Sequence, residues 1–209
     1  MVPKNPTTMK NLILTGSILL LGLTSCKKFV IPVQGSIPKI EIPQSSPVFV
    51  KYLIKKGNQY CENNAVTASQ YAELKFVVRF DSSAIYQTVL VNNQLDINKL
   101  YGFSDNNALH HAFSARFGWR WSNNALRLFG YVYNDSIRSS AEIGAIKIGT
   151  EYNCSIKVNA STYTFTADSK SIVLPRTSTT VKASGYKLFP YFGGDENAPL
   201  DINIWIKEL

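Results

Sequence analysis

The stretch from Ser114 to Tyr133 constrains the fold more than any other part of this chain. Two runs of alternating residues flank Ser122-Asn123-Asn124-Ala125, a polar, Asn-rich tetrapeptide suited to a tight turn. With that turn, Trp121 faces Leu126 and every residue of the first run acquires a partner in the second. One face then holds Ala115/Val132, Phe117/Gly130, Trp119/Leu128 and Trp121/Leu126, an apolar face that must be buried. The other holds Ser114/Tyr133, Arg116/Tyr131, Gly118/Phe129 and Arg120/Arg127. A two-residue period of this kind belongs to a strand, not a helix. A slip of one residue would exchange the two faces, so the burial of the apolar face fixes the register.

The same alternation recurs along the chain. Leu74, Phe76, Val78 and Phe80 share one side of a run from Tyr71 to Phe80, with Glu73, Lys75 and Arg79 on the other. Tyr152, Cys154, Ile156 and Val158 share a face, and Asn159-Ala160 turns the chain into a run where Tyr163 and Phe165 oppose Thr162, Thr164 and Thr166. Gly185 to Phe192 and Asp201 to Leu209 give two further strands, separated by Gly193-Gly194-Asp195-Glu196. No segment after residue 50 keeps a helical apolar period over three turns. Many short strands punctuated by Gly, Asn and Pro predict an all-β domain at residues 51–209, folded as an antiparallel two-sheet jelly-roll sandwich.

The N-terminus reads differently. Lys10 precedes a short apolar run from Leu12 to Leu23, too short to span a bilayer as a stable helix but suited to a secretory signal. The run ends in Leu23-Thr24-Ser25-Cys26, which resembles the lipobox of bacterial lipoproteins. Residues 1–25 are therefore expected to be removed and Cys26 to carry the lipid. Residues 26–50 contain Pro32, Pro38, Pro43 and Pro47, a density that resists helix and central strand and describes a tether. The expected location is the bacterial cell envelope, with the outer membrane favoured and the membrane bound through the lipid on Cys26.

Loss of Lys4 and Lys10 with the signal would take the formal net charge from +8 to +6. That mild excess suits an anionic ligand or simple solubility. No nucleic-acid motif occurs, and export argues against that partner. Cys61 and Cys154 remain in the domain, either bridged, as an oxidising compartment allows, or as two buried thiols. No spacing resembles a metal cluster, and no cofactor is expected. Gly193-Gly194-Asp195-Glu196 is read as a turn in preference to a calcium loop, and His110-His111 as surface groups in preference to a base.

The polar face of the hairpin carries the chemistry. Arg120 opposite Arg127 is unfavourable in a sheet and wants an anion or a carboxylate. Arg116 offers a planar fork for carboxylate or phosphate, while Phe129, Tyr131 and Tyr133 offer rings that stack on sugars, and the two tyrosines add hydroxyls that donate or accept. Against this stands a solvated outer face with no ligand. Tyr186, Lys187, Phe189 and Tyr191 are placed to extend such a groove.

Four blocks in order, Lys99-Leu100-Tyr101-Gly102-Phe103, Ser114-Ala115-Arg116-Phe117-Gly118-Trp119-Arg120, Tyr131-Val132-Tyr133 and Tyr191-Phe192-Gly193-Gly194, resemble those of polysaccharide lyase family 14, alginate and glucuronate lyases with a concanavalin-like jelly roll. The chain is also similar to small lipoproteins of Bacteroidota-type bacteria. The family resemblance implies that Lys99, Ser114, Arg116, Tyr131 and Tyr133 line a cleft and are catalytic, with Arg120, Arg127, Phe129, Lys187 and Tyr191 binding ligand. Leu100-Tyr101-Gly102 departs from the family's Leu-Pro-Gly, so the fold transfers better than the activity. The implied chemistry is β-elimination on a uronate polymer: Arg116 offsets the carboxylate, a tyrosine lowered in pKa by nearby cations moves the proton, and Lys99 supplies charge. Three functions are consistent with these readings. Binding of an acidic polysaccharide without turnover is favoured, followed by a polysaccharide lyase, then a structural or adhesive envelope protein.

Overall fold

A computed structural model describes residues 46–209; the signal, Cys26 and most of the expected tether lie outside the described residues. The strands, in chain order, are β1 (Val50–Ile54), β2 (Ala68–Tyr71), β3 (Glu73–Phe80), β4 (Asn98–Ser104), β5 (Ser114–Ser122), β6 (Ala125–Asn134), β7 (Ile137–Ile146), β8 (Tyr152–Val158), β9 (Thr162–Ala167), β10 (Lys170–Pro175), β11 (Ala183–Leu188) and β12 (Ile202–Glu208). Helix among the described residues is confined to two short 3₁₀ turns, Ser82–Ala84 and Val91–Leu95. Val50, the last residue of the expected tether, already pairs in β1. Past Pro47 the backbone regains its donors, and Val48-Phe49-Val50 suits a strand.

The strands form two antiparallel sheets of six, ordered β1-β12-β3-β8-β9-β10 and β2-β11-β4-β5-β6-β7. This is the jelly-roll sandwich, with the core between the two inner faces. Every pair expected in the Ser114–Tyr133 hairpin is present, from Ser114↔Tyr133 to Ser122↔Ala125. Asn123 and Asn124 take φ of 52° and 55°, the left-handed pair that a two-residue hairpin turn needs. Asp135-Ser136 repeats this device between β6 and β7, a hairpin that the sequence reading did not find.

Phe117, Trp119, Leu126, Leu128 and Val132 are fully buried between the sheets. Across the interface Phe80 meets Trp119 at 5.3 Å between ring centroids, and Phe117 sits edge-on to Phe76 and Phe165 at 5.4 Å each. Fully burying each such side chain stabilises the fold by about 1.5–3 kcal/mol. Cys61 and Cys154 are both free, buried thiols, so the bridged alternative does not hold; burial pushes the Cys61 thiol up to about 12.

One irregularity positions the site. Between Lys99 and Gly102 the β4–β5 register shifts, and Leu100 and Tyr101 are both buried. Tyr101 packs edge-on to Phe76 and donates to the Glu208 carboxylate on the other sheet. A bulge adds one residue to one strand, so Lys99 and Gly102 both stay on the outer face, opposite Gly118 and Arg116.

Candidate functional site

The outer face of the second sheet carries a cavity of about 720 Å³. Its floor is Arg116 of β5 and Tyr131 of β6, with Lys99 of β4 beside them; Tyr133, Tyr186, Tyr191, His110 and His111 form the walls. Tyr60, Val66, Leu109, Phe189 and Pro190 complete the rim. No Asp or Glu is among the lining residues.

Arg116 is 6% exposed, and its buried Nε has no hydrogen-bond partner. Its guanidinium lies 5.5 Å from the Tyr131 ring centroid. Burial lowers its pKa, and the groups that favour its charge are the phenols of Tyr131, Tyr133, Tyr186 and Tyr191, not a carboxylate. Lys99 places its ammonium 5.0 Å from the centroid of the same ring. Burial, then repulsion from Arg116 and Arg138, lowers Lys99 to about 8. Two glycines make room for these cations. A Cβ at Gly102 would collide with the backbone and Cβ of Arg116, and one at Gly193 with the Lys99 ammonium. The floor is thus a positive pocket in which Asp96 lends some countercharge to Lys99 and no carboxylate meets Arg116, an arrangement that is costly in a partly dehydrated site.

Burial, followed by the charge of Arg116 and its neighbour His111, lowers His110 to about 4, so its imidazole is uncharged near neutral pH. Its Nδ1 is 2.8 Å from the Tyr186 hydroxyl, which also accepts the His110 backbone N–H. The two histidine rings lie 4.3 Å apart, and His111 is 5.4 Å from Tyr133. Both histidines border the cavity, His111 as the exposed surface group expected and His110 half-buried. Burial and the Tyr133 hydroxyl push the Tyr131 phenol up to about 12, against the opposing charge of Arg116. The expectation that cations lower this phenol is therefore overturned: desolvation outweighs them, and Tyr131 is a donor at neutral pH.

Several expected site residues are used elsewhere. Ser114 is fully buried, and its hydroxyl donates to the His110 carbonyl at 2.7 Å, so it supports the histidine turn from beneath instead of lining the cavity. Arg120, Arg127 and Phe129 share the outer face but lie outside the cavity. Arg120 donates to the Leu95 carbonyl and stacks 4.8 Å from the Phe129 ring, while Arg127 pairs with Glu142 at 2.7 Å. The carboxylate that the opposed arginines want is supplied by β7. Lys187 borders the cavity, but its ammonium turns to Glu208 at 2.6 Å, between the sheets. Tyr191 stays in the site: its backbone bridges Lys99 and its hydroxyl donates to Gln59. The Glu196 carboxylate accepts from the N–H groups of Val89 and Leu90, which makes Gly193–Glu196 a loop anchor. Tyr60, Val66 and Leu109 come from connections with no alternating pattern, and nothing in the sequence marks them.

No protein-family model matches the chain, and no curated protein matches it. Solved structures do. The alginate lyase AlyC3 aligns with a TM-score of 0.50 at 10% identity, covering 78% of this chain and 74% of its own. The non-specific endo-β-1,3(4)-glucanase SCLam of family GH16 aligns at 0.49 and 7%, covering 79% and 72%. A family 16 endo-glucanase from Bacteroides ovatus aligns at 0.47 and 13%, covering 78% and 80%. At such identities the likeness is one of fold, and the domain is a concanavalin-like jelly roll.

Proposed function

We propose that this domain binds an acidic polysaccharide or oligosaccharide, with one sugar carboxylate seated on Arg116. The observation that carries this reading is the buried Arg116 guanidinium, unpartnered at Nε, on the floor of a cavity lined by no acid. A carboxylate would meet it with a charge-assisted pair, and Lys99 would add a second cation. Tyr131, Tyr133, Tyr186 and Tyr191 supply ring faces and hydroxyls, the groups that hold a sugar. The shared fold with an alginate lyase is compatible with this ligand class. Hydrolysis by two carboxylates has no acid pair in this cavity to run on.

The test is calorimetric titration with oligouronates and with neutral oligosaccharides of equal length. Only the acidic series is expected to bind; equal binding of neutral oligomers would overturn the reading. Lys99 adds a pH signature. Its folded pKa of about 8 lies below the ordinary lysine value of 10.5, so between these values the unfolded chain holds more protons. The stability of the free domain should therefore rise with pH across that window. Affinity for the uronate should do the opposite, falling by up to about tenfold per pH unit above 8 as the ammonium discharges. Thermal melts and titrations at pH 7 to 10 measure both signs.

One observation favours a second reading, β-elimination. A neutral imidazole, His110, hydrogen-bonded to the Tyr186 hydroxyl, borders the same cavity as Arg116. A base there would take the proton beside the carboxylate, the electron pair would form the carbon–carbon double bond, the glycosidic C–O bond would break, and a phenol would protonate the leaving oxygen. Absorbance of the unsaturated uronate product tests this directly, and its absence under binding conditions leaves the binding reading alone.

We also propose that Cys26 is acylated and anchors the protein to the cell envelope, on the strength of the lipobox-like Leu23-Thr24-Ser25-Cys26. Cys26→Ala is expected to abolish lipid labelling and leave an uncleaved precursor. Normal labelling of that variant would refute the assignment.

A further inference from the structure

We propose that the outer face of the first sheet docks on an anionic lipid bilayer, holding the domain with its cavity turned away from that surface. Lys51 of β1, Trp205 of β12 and Arg79 of β3 lie side by side in register. Alternation puts Lys207, Lys75 and Lys157 on the same face. Of the acids within β1, β12, β3 and β8, Glu208 is taken up by Tyr71, Tyr101 and Lys187, and Glu73, whose carboxylate is 3.2 Å from Lys75, shares this face. Asp81 and Asp168 sit at strand ends, where Ser83 and Asn203 engage the first and Asn153 the second. Five cations thus face outward against one acid.

These cations rest on rings. The Arg79 guanidinium is 5.1 Å from the Trp205 ring centroid and 5.7 Å from that of Phe49. Lys51 lies 5.8 Å over Trp205, and Lys207 4.8 Å over Phe49. A ring steadies a cation without neutralising it, so the face keeps its positive charge. Trp among Lys and Arg is also the composition that settles at the headgroup level of a membrane. The position of the chain completes the argument. Phe49, just before β1, has its ring on this face, so the N-terminal stretch that leads from Cys26 enters the domain here. The cavity lies on the outer face of the other sheet, beyond the core. The cellular setting rests on the proposed acylation of Cys26; the charge and aromatic pattern of the face does not.

The experiment uses the chain from residue 26, carrying Cys26→Ser so that no lipid is attached, sedimented with vesicles of phosphatidylglycerol and phosphatidylcholine or of phosphatidylcholine alone. Binding is expected only to the anionic vesicles and should weaken with added salt. Lys75→Gln with Lys157→Gln, both exposed and outside the ring contacts, should weaken it about 30-fold, near fivefold for each cation. Lys147→Gln with Lys182→Gln removes the same charge from loops off this face and should change it little. Oligouronate binding should survive the Lys75/Lys157 pair, so failure here is distinct from failure of the cavity reading. Equal binding to neutral vesicles, equal loss in the two variant pairs, or binding of this face to a soluble acidic polymer with none to vesicles would each overturn the proposal.

Discussion

Replacing Arg116 by methionine is expected to stabilise the free domain while removing its affinity for oligouronates. The guanidinium is buried at the cavity floor with an unpartnered Nε and no carboxylate beside it. An isolated buried charge is costly, and an apolar side chain of similar length removes that cost while keeping most of the packing against Tyr131. A gain of about 1–3 kcal/mol is reasonable, in line with the replacement of buried ionic groups by well-packed apolar ones. For a domain of this size that raises the melting temperature by roughly 2–12 °C. Binding should move the other way, losing about 2–5 kcal/mol, the range for removing one partner of a buried charge pair. Lys99 reports independently: with the Arg116 charge gone, its pKa should climb from about 8 towards its ordinary value. Arg116→Lys keeps the charge but not the fork and should recover only part of the affinity. A variant that melts lower and binds as before would show that Arg116 is a structural residue. Stability given up at one position for a pre-charged site is the signature expected of function.

The second large effect is purely structural. Asp105→Ala is expected to cost about 3–5 kcal/mol, the range for breaking a buried ion pair by removing one partner, or roughly 6–20 °C in melting temperature. Asp105 follows β4 and is fully buried. One carboxylate oxygen accepts from Tyr163 of β9 at 2.6 Å and from Arg176, just past β10, at 2.8 Å. The other accepts from Thr180 and from the backbone N–H of Ser184 in β11. One side chain thus ties the second sheet to the first. Arg176, almost wholly enclosed, would lose its countercharge, and Arg176→Met in the same chain should restore part of the loss. Burial by itself would raise the Asp105 pKa, but Arg176, Tyr163 and the N–H groups of Asn106 and Ser184 hold it below the ordinary aspartate value of 3.8. A depressed carboxyl contributes stability above its unfolded pKa and loses it as pH falls through the folded one. Wild type should therefore lose this contribution below about pH 3.8, and Asp105→Ala should lack that part of the acid limb. Denaturant melts from pH 2 to 7 distinguish the two.

Most of the architecture is legible in the amino-acid order, and the reason is period. Strand side chains alternate strictly, so Phe117, Trp119, Leu126 and Leu128 declare a buried face, and Asn123-Asn124, which tolerates two left-handed residues, fixes the pairing around it. The same logic puts Arg116, Tyr131 and Tyr133 together on the opposite face, where the cavity floor and wall lie. What alternation cannot convey is which part of a polar face stays open, because other segments decide it. Leu95 covers Arg120, Glu142 takes Arg127, Glu208 draws Lys187 between the sheets, and the His110 turn closes over Ser114. The bulge at Leu100-Tyr101 keeps Lys99 on the cavity side, and only the pairing with β5 reveals it. Asp105 and Arg176 lie in unpatterned connections, 71 residues apart, and became partners through the packing of two sheets. Tyr131 shows the divide within one residue. Its face followed from its position in the strand, but its proton is held by desolvation, a property of everything packed around it.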